Sequence, residues 1–208
     1  MSGTAHAAHG HGPPAIWPPD QDFGEVRPSK MAMWIFLLSD WFSFAGLLIG
    51  YSLFRANAVV WRHVGEPAFG IPVTAVLTLV LALSAVAMVR AHDDSLSGNR
   101  QRTGMWLMIT GVCGLVFLFG QLHEWSGLMA NGLVFGQTAY ASTFFVITGF
   151  HLMHVFAGLV YLCFILVRNS RGISTPNEIQ LFELFWLFIY FGWNVVFVIL
   201  YMIPSGVA

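Results

Sequence analysis

Five long apolar stretches take up most of this chain and limit what it can fold into. They run from Lys30 to Phe54, Ile71 to Ala91, Thr103 to Leu128, Gln137 to Val167 and Ile179 to Ile203. A helix crosses the hydrocarbon core of a bilayer with about 20 residues. The first, third, fourth and fifth stretches exceed that, so they are expected to tilt or to extend past the lipid. In lipid no water is available to backbone N–H and C=O groups. Each segment must therefore close its own hydrogen bonds, which selects helices over an open sheet. The period-two alternation of a barrel strand is absent. Composition agrees: 57% of residues are hydrophobic and 9% charged, against roughly 25% charged in a soluble domain. The expected fold is all-α, an integral membrane bundle of five transmembrane helices over residues 30–208, preceded by a flexible tail over residues 1–29.

The connections have distinct characters. Arg55 to Gly70 is polar, with Trp61, Arg62, His63, Glu66 and Pro67; His92 to Arg102 holds charges and turn formers. Met129 to Gly136 is short and uncharged, and in Arg168 to Glu178 the Ser174-Thr175-Pro176 run suits a helix N-terminus. With five spans, Arg27, Lys30, Arg90, Arg100, Arg102, Arg168 and Arg171 fall on one side, and Arg55 and Arg62 on the other. The excess of basic residues predicts a cytoplasmic N-terminus and an external C-terminus. The tail lacks a basic region followed by an apolar core, so no cleavable signal peptide is expected and the first helix should direct insertion. Its His6, His9 and His11 resemble a weak metal-binding tract, but a flexible polar terminus is the plainer reading. The net charge of −1 gives no reason to expect nucleic acid as a partner.

Few residues inside the spans can carry chemistry. Asp40 lies near the middle of the first, about 15 Å into the membrane at ~1.5 Å per residue. His151 and His154 lie near the middle of the fourth, three residues apart and so on one face. Their depths match that of Asp40, which permits a carboxylate–imidazole contact between two helices. Ionisable groups at such depth are costly and usually paired. A metal centre is the sharper reading of the two imidazoles, but it needs three or more ligands. The spans add only His123, close to the external end. A hydrogen-bonded structural role fits better, with proton handling as a further possibility. Gln121, His123 and Glu124 beside Trp125 read as interfacial belt residues or as a specific polar contact. Glu183 can snorkel or favour the helix dipole, and Asn194 can hydrogen-bond to a neighbouring helix. Cys113 and Cys163, without a CxxC partner, read as small buried hydrophobes. No residue is assigned a catalytic role.

These motifs form a pattern. Phe144-Phe145-x-x-Thr148-Gly149-Phe150-His151-x-x-His154-Val155-x-x-Gly158 resembles the signature helix of subunit III of haem-copper terminal oxidases. Met33-Trp34-Ile35-Phe36-x-x-Ser39-Asp40 resembles that family's GMWIFLxSE helix, and Gly114-x-x-Phe117-Leu118-x-x-Gln121-x-x-Glu124-Trp125 its next matching segment. The resemblance runs from about Lys30 to the end and fits the five-span form. It implies a non-redox accessory subunit of a proton-pumping oxidase, in the plasma (inner) membrane of a bacterium. Such a subunit packs beside catalytic subunit I and other oxidase subunits, holds phospholipid in a cleft, and supports assembly, proton uptake and sustained turnover. It binds no haem or copper, which belong to the partner. The family's buried acid falls on Asp40 and its paired histidines on His151 and His154. Two departures stand out. The acid is Asp rather than the usual Glu, one methylene shorter. The family's WHFVDxxW reads Trp186-Leu187-Phe188-Ile189-Tyr190-Phe191-Gly192-Trp193, so its His and Asp have become Leu187 and Tyr190.

Three other readings compete. One is the related five-span accessory protein of nitric oxide reductases. Another is a stand-alone haem or metal membrane protein using His151 and His154. A small-solute transporter would show paired repeats and helices broken by Gly or Pro, and neither is apparent.

Overall fold

The computed structural model describes residues 28–59, 61 and 70–203. The tail with His6, His9, His11 and Arg27, the loop residues Arg62, His63, Glu66 and Pro67, and residues 204–208 lie outside the described residues. The chain forms α1 (Pro28–Asn57), α2 (Ile71–Leu96), α3 (Arg100–Ala130), α4 (Ala139–Ser170) and α5 (Pro176–Phe197), which runs on into a π-helical turn (Val198–Met202). All five helices are long and apolar enough to cross a membrane, and no strand occurs among the described residues.

The helices outrun their apolar stretches because polar residues close their ends. Asn99 and Thr138 accept N–H bonds from Arg102 and Ala141 at the starts of α3 and α4. Thr175 and Glu178 form a reciprocal capping box at the start of α5, with Pro176 in the first turn, where its missing N–H costs nothing. Gly98 (φ 74°) and Gly172 (φ 73°) take the left-handed backbone of two turns that lie at the same end of the bundle. The largest difference from the sequence reading is at the end of α2. The helix continues through His92, Asp93 and Asp94, and leaves a connection of only three residues before α3.

Helix α2 packs most extensively on α3 and then on α5; α3 packs on α4 and α4 on α5. Helix α1 lies at the edge against α4 and α5, and is the least buried of the five. Lipid tails are as apolar as leucine, so close packing and interhelical hydrogen bonds must hold such helices together. Trp186 of α5 shows how. Its fully buried indole fills the space between Gly114 of α3 and Gly158 of α4, where an added Cβ would come within 2.8 and 2.9 Å of the ring. Its N–H donates to Ser84 Oγ of α2 at 3.0 Å, while the Ser84 hydroxyl donates to its own helix at Leu81. Seven residues on, Trp193 donates to Thr78 Oγ1 at 2.9 Å and meets Phe117 edge-on. These two indoles pin α5 to α2.

Candidate functional site

Asp40 and His154 meet across α1 and α4, with Oδ2 and Nε2 2.9 Å apart. The oxygen approaches obliquely, so the contact is an ion-pair approach rather than an aligned hydrogen bond. The proton count follows from the other nitrogen. His154 Nδ1 lies 2.7 Å from the Phe150 carbonyl oxygen. A carbonyl only accepts, so Nδ1 carries a hydrogen. Were Nε2 and the carboxylate both unprotonated, two electron-rich atoms would lie 2.9 Å apart with no attraction between them. One further proton therefore sits in the contact, on the imidazole or on the carboxyl, and the pair is neutral either way. Phe44, one turn beyond Asp40 and almost fully buried, covers the pair and contacts the rings of Phe150, His154 and Phe188. The shorter Asp still reaches its partner because α1 approaches α4 closely enough to close the gap.

His151 points elsewhere. Three residues of helix rotate a side chain by about 300°, leaving the rings about 60° apart. That turns His154 to α1 and His151 to α5. His151 Nε2 lies 3.0 Å from the Ile189 carbonyl oxygen, and so donates to it. Trp193 and Phe117 flank its ring at 4.8 and 5.7 Å, and its Nδ1 has no partner among the described residues. The two imidazoles thus face different partners and share no coordination point. No group of three or more His, Cys, Asp and Glu suited to a metal occurs among the described residues.

A second polar cluster surrounds Glu124, itself almost fully buried. Its Oε1 accepts the Gly70 N–H at 3.2 Å. Its Oε2 lies 2.8 Å from Gln121 Nε2, 2.9 Å from the Thr74 hydroxyl and 3.1 Å from the Tyr201 hydroxyl. Gln121 also donates to Tyr201 at 3.2 Å, so the tyrosine accepts from one neighbour and donates to the acid. The acid is surrounded by neutral donors from α2, α3 and the π-helical turn. The Gln121–Glu124 spacing is visible in the sequence. Thr74 and Tyr201 give no such signal, because a threonine in a membrane helix ordinarily bonds back to its own backbone, as Thr74 also does at Gly70.

Polar pairs also close the end of the bundle that holds the α2–α3 and α4–α5 turns. Glu183, read from the sequence as snorkelling or facing the helix dipole, lies 2.6 Å from His92 Nδ1, and both are largely buried. The helical extension of α2 delivers that partner. Arg168 grips Glu178 with two parallel bonds, at 3.0 and 2.8 Å. Asn194 turns back to the Tyr190 carbonyl of its own helix at 2.7 Å, because the carbonyl one turn back is within its short reach. His123 is exposed, and Cys163 faces outward rather than into the core. Leu187 and Tyr190 are half-buried, with the Tyr190 ring beside Phe191.

Comparison with known proteins extends this geometry. The family model described as cytochrome c oxidase subunit III matches residues 25–205. The cytochrome c oxidase subunit 3 of Corynebacterium diphtheriae is 30% identical over 185 residues, covering 85% of this chain and 90% of that protein. A probable cytochrome c oxidase subunit 3 of Mycobacterium tuberculosis is 31% identical over 188 residues, with the same coverage. A cytochrome bo(3) ubiquinol oxidase subunit 3 of Pseudomonas aeruginosa is 29% identical over 184 residues, covering 83% of each chain. With five membrane-crossing helices and a match over nearly its whole length, the chain belongs to the subunit III family of haem-copper terminal oxidases.

Proposed function

We propose that this chain is the accessory subunit III of a proton-pumping haem-copper oxidase in a bacterial inner membrane, with its N-terminus cytoplasmic. It packs beside catalytic subunit I, which holds the haem and copper, and supports assembly and sustained turnover without passing electrons itself. The observation that carries this reading is the commitment of the buried polar groups to one another. Asp40 is closed by His154, His151 by the Ile189 carbonyl, Glu124 by four donors and Glu183 by His92. A haem or metal at the two histidines would have to break His154 away from Asp40 or Phe150, and would find one buried nitrogen on His151. The relatives named above are oxidase subunits, which favours an oxidase over a nitric oxide reductase as the parent complex.

The test is purification of the tagged chain from its host membrane in mild detergent. Subunit III should bring down a large haem-containing subunit, with an absorption spectrum of the haem-copper type and oxygen consumption. Recovery of the chain alone, or with stoichiometric iron on the chain itself, would overturn the proposal.

A further inference from the structure

A polar pocket of about 220 Å³ lies where the ends of α2 and α4 meet the starts of α3 and α5. Ser95 closes it from α2, Arg100 and Thr103 from α3, Asn169 from α4 and Pro176 from α5. Its inner polar groups are already bonded. Ser95 and Thr103 donate to the carbonyls of His92 and Asn99, and Asn169 donates to the Arg100 carbonyl while accepting from Ser174. The Arg100 guanidinium differs from them. It is exposed and lies against Gly172, where an added Cβ would collide with it. Among the described residues no acid pairs with it, nor with the exposed Arg171 next to Gly172.

The charge around this pocket is unbalanced. A helix start carries partial positive charge. Helix α5 offsets its own with Glu178, which Arg168 also grips. Helix α3 has no acid in its first turn and carries Arg100 and Arg102 there instead. The other acids at this end are taken: Glu183 faces His92, Asp94 lies 4.0 Å from Arg102, and Asp93 lies with Lys30 near Glu183. The missing negative charge is present elsewhere in the same chain. Over residues 1–27 the charged side chains are Asp20, Asp22, Glu25 and Arg27, three acids against one base, a net −2. That segment joins α1 beside the pocket, because Asn177, the neighbour of the pocket-lining Pro176, donates to Ser29 Oγ at 3.4 Å.

We propose that the acidic stretch from Asp20 to Glu25 docks across this end of the bundle, with its carboxylates on Arg100 and Arg171. The reach is sufficient. Back from Ser29, Glu25 is about 13 Å and Asp20 about 30 Å of extended chain away, at ~3.3 Å per residue. Neighbouring helices stand about 8–10 Å apart, so these acids span the distance from the start of α5 to the rim at Arg100. Exposed ion pairs are individually weak, but a tether this short holds the acids at a roughly millimolar effective concentration. Docking would tie the start of α1, the least buried helix, to α3 and to the α4–α5 turn. It would also fill the one rim of this end that has positive charge and no acid of its own.

The experiment is amide hydrogen exchange of the detergent-purified complex, followed by mass spectrometry of peptides covering residues 16–27. Both arginines are exposed, and Arg100→Gln keeps the carbonyl that Asn169 holds, so the variants should fold. At low salt the wild-type amides from Gln21 to Arg27 should exchange about tenfold more slowly than in the paired variant Arg100→Gln, Arg171→Gln. Roughly 1 M salt, where the Debye length falls to about 3 Å, should abolish the difference, and Arg102→Gln should leave it in place. Charge reversal supplies the second arm. Arg100→Glu with Arg171→Glu should release the segment, and so should Asp20→Lys, Asp22→Lys and Glu25→Lys together, while the two sets combined should restore slow exchange. Equal exchange in wild type and the paired Gln variant overturns the proposal, as does protection that salt does not touch or a combined reversal without recovery. Protection that disappears when partner subunits are stripped from the intact chain also overturns it, by making another subunit the docking surface.

Discussion

Removing one member of the Asp40–His154 pair should cost more than removing both, and the two single changes should be unequal. In His154→Leu the carboxyl loses the imidazole that shares its proton. An Asp at the centre of a membrane helix costs about 2.5–3.5 kcal/mol. In Asp40→Leu the imidazole keeps its bond to the Phe150 carbonyl, and only Nε2 is orphaned. Interhelical hydrogen bonds in membranes are worth about 0.6–1.7 kcal/mol, so the loss should be about 1 kcal/mol. In the double variant two leucines meet, which is close to neutral for a replaced buried pair. The coupling energy should therefore be about 4 kcal/mol in magnitude. Asp40→Asn, which keeps a donor for Nε2, should be the mildest change. The measurement is a reversible titration of the chain with denaturing detergent in mixed micelles, read by tryptophan fluorescence. Retention of the subunit and sustained turnover in the complex follow alongside, with the haem spectrum expected to stay unchanged. Additivity within about 0.5 kcal/mol, or a larger cost for Asp40→Leu than for His154→Leu, would refute the reasoning.

Two further expectations use the same titration. Glu124→Leu removes the acceptor of the Gly70 N–H and of the Tyr201 hydroxyl, while Thr74 and Gln121 keep their bonds to the Gly70 carbonyl and to Tyr201, and should cost about 2 kcal/mol at ~1 kcal/mol per unsatisfied buried group; Glu124→Gln should cost less than half of that, because its amide oxygen can keep the Gln121 and Tyr201 bonds, and equal costs would show that the cage does not hold the acid. Gly158→Val should destabilise by about 1–3 kcal/mol because it meets a ring fixed by Ser84, whereas Gly127→Ala, with open space around it, should gain up to ~1 kcal/mol; a silent Gly158→Val would mean that Trp186 can move.

Why some of this was legible and some not has a physical basis. Helix number follows from the length of apolar runs, because lipid allows so few backbone solutions. The Asp40–His154 contact follows from matched depth, because a buried acid in lipid needs a partner and the sequence offers few at that level. The caps at Thr175 and Glu178 also carry a local signature. The partners of the other acids do not. His92 lies beyond the apolar run that defines the second span, so hydropathy assigns it to a loop, yet the helix carries it on to Glu183. Thr74, Thr78 and Ser84 look like ordinary small residues of a membrane helix. Thr78 and Ser84 donate to their own backbone and offer lone pairs outward, and only packing decides that Trp193 and Trp186 meet them, while the single Thr74 hydroxyl hydrogen is within reach of both the Gly70 carbonyl and Glu124. The π-helical turn that places Tyr201 beside Glu124 has no sequence signal of its own. Two imidazoles three residues apart look like a joint site until the 60° between them is set against where α1 and α5 stand.

The same distribution of contacts explains why Asp40 matters more than its single contact implies. Helices α2 to α5 are joined by indole–hydroxyl bonds, by close packing at Gly114 and Gly158, and by the Glu124 cage. Among the described residues, helix α1 takes part in none of these contacts. Its contacts include the Asp40–His154 pair, the aromatic contacts of Phe36, Trp41 and Phe44 with α4 and α5, the buried Leu37 and Tyr51, and a long Asn177–Ser29 bond at its start. Aromatic contacts are tolerant of sliding and rotation, whereas the buried Asp40 has His154 as its counterpart 2.9 Å away, and sliding α1 would separate them. The acid therefore sets the register and rotation of the most loosely held helix, and the face α1 turns outward depends on it. A neutral pair is suited to that work: its attraction falls away once the two groups are parted, yet it places no net charge in the hydrocarbon.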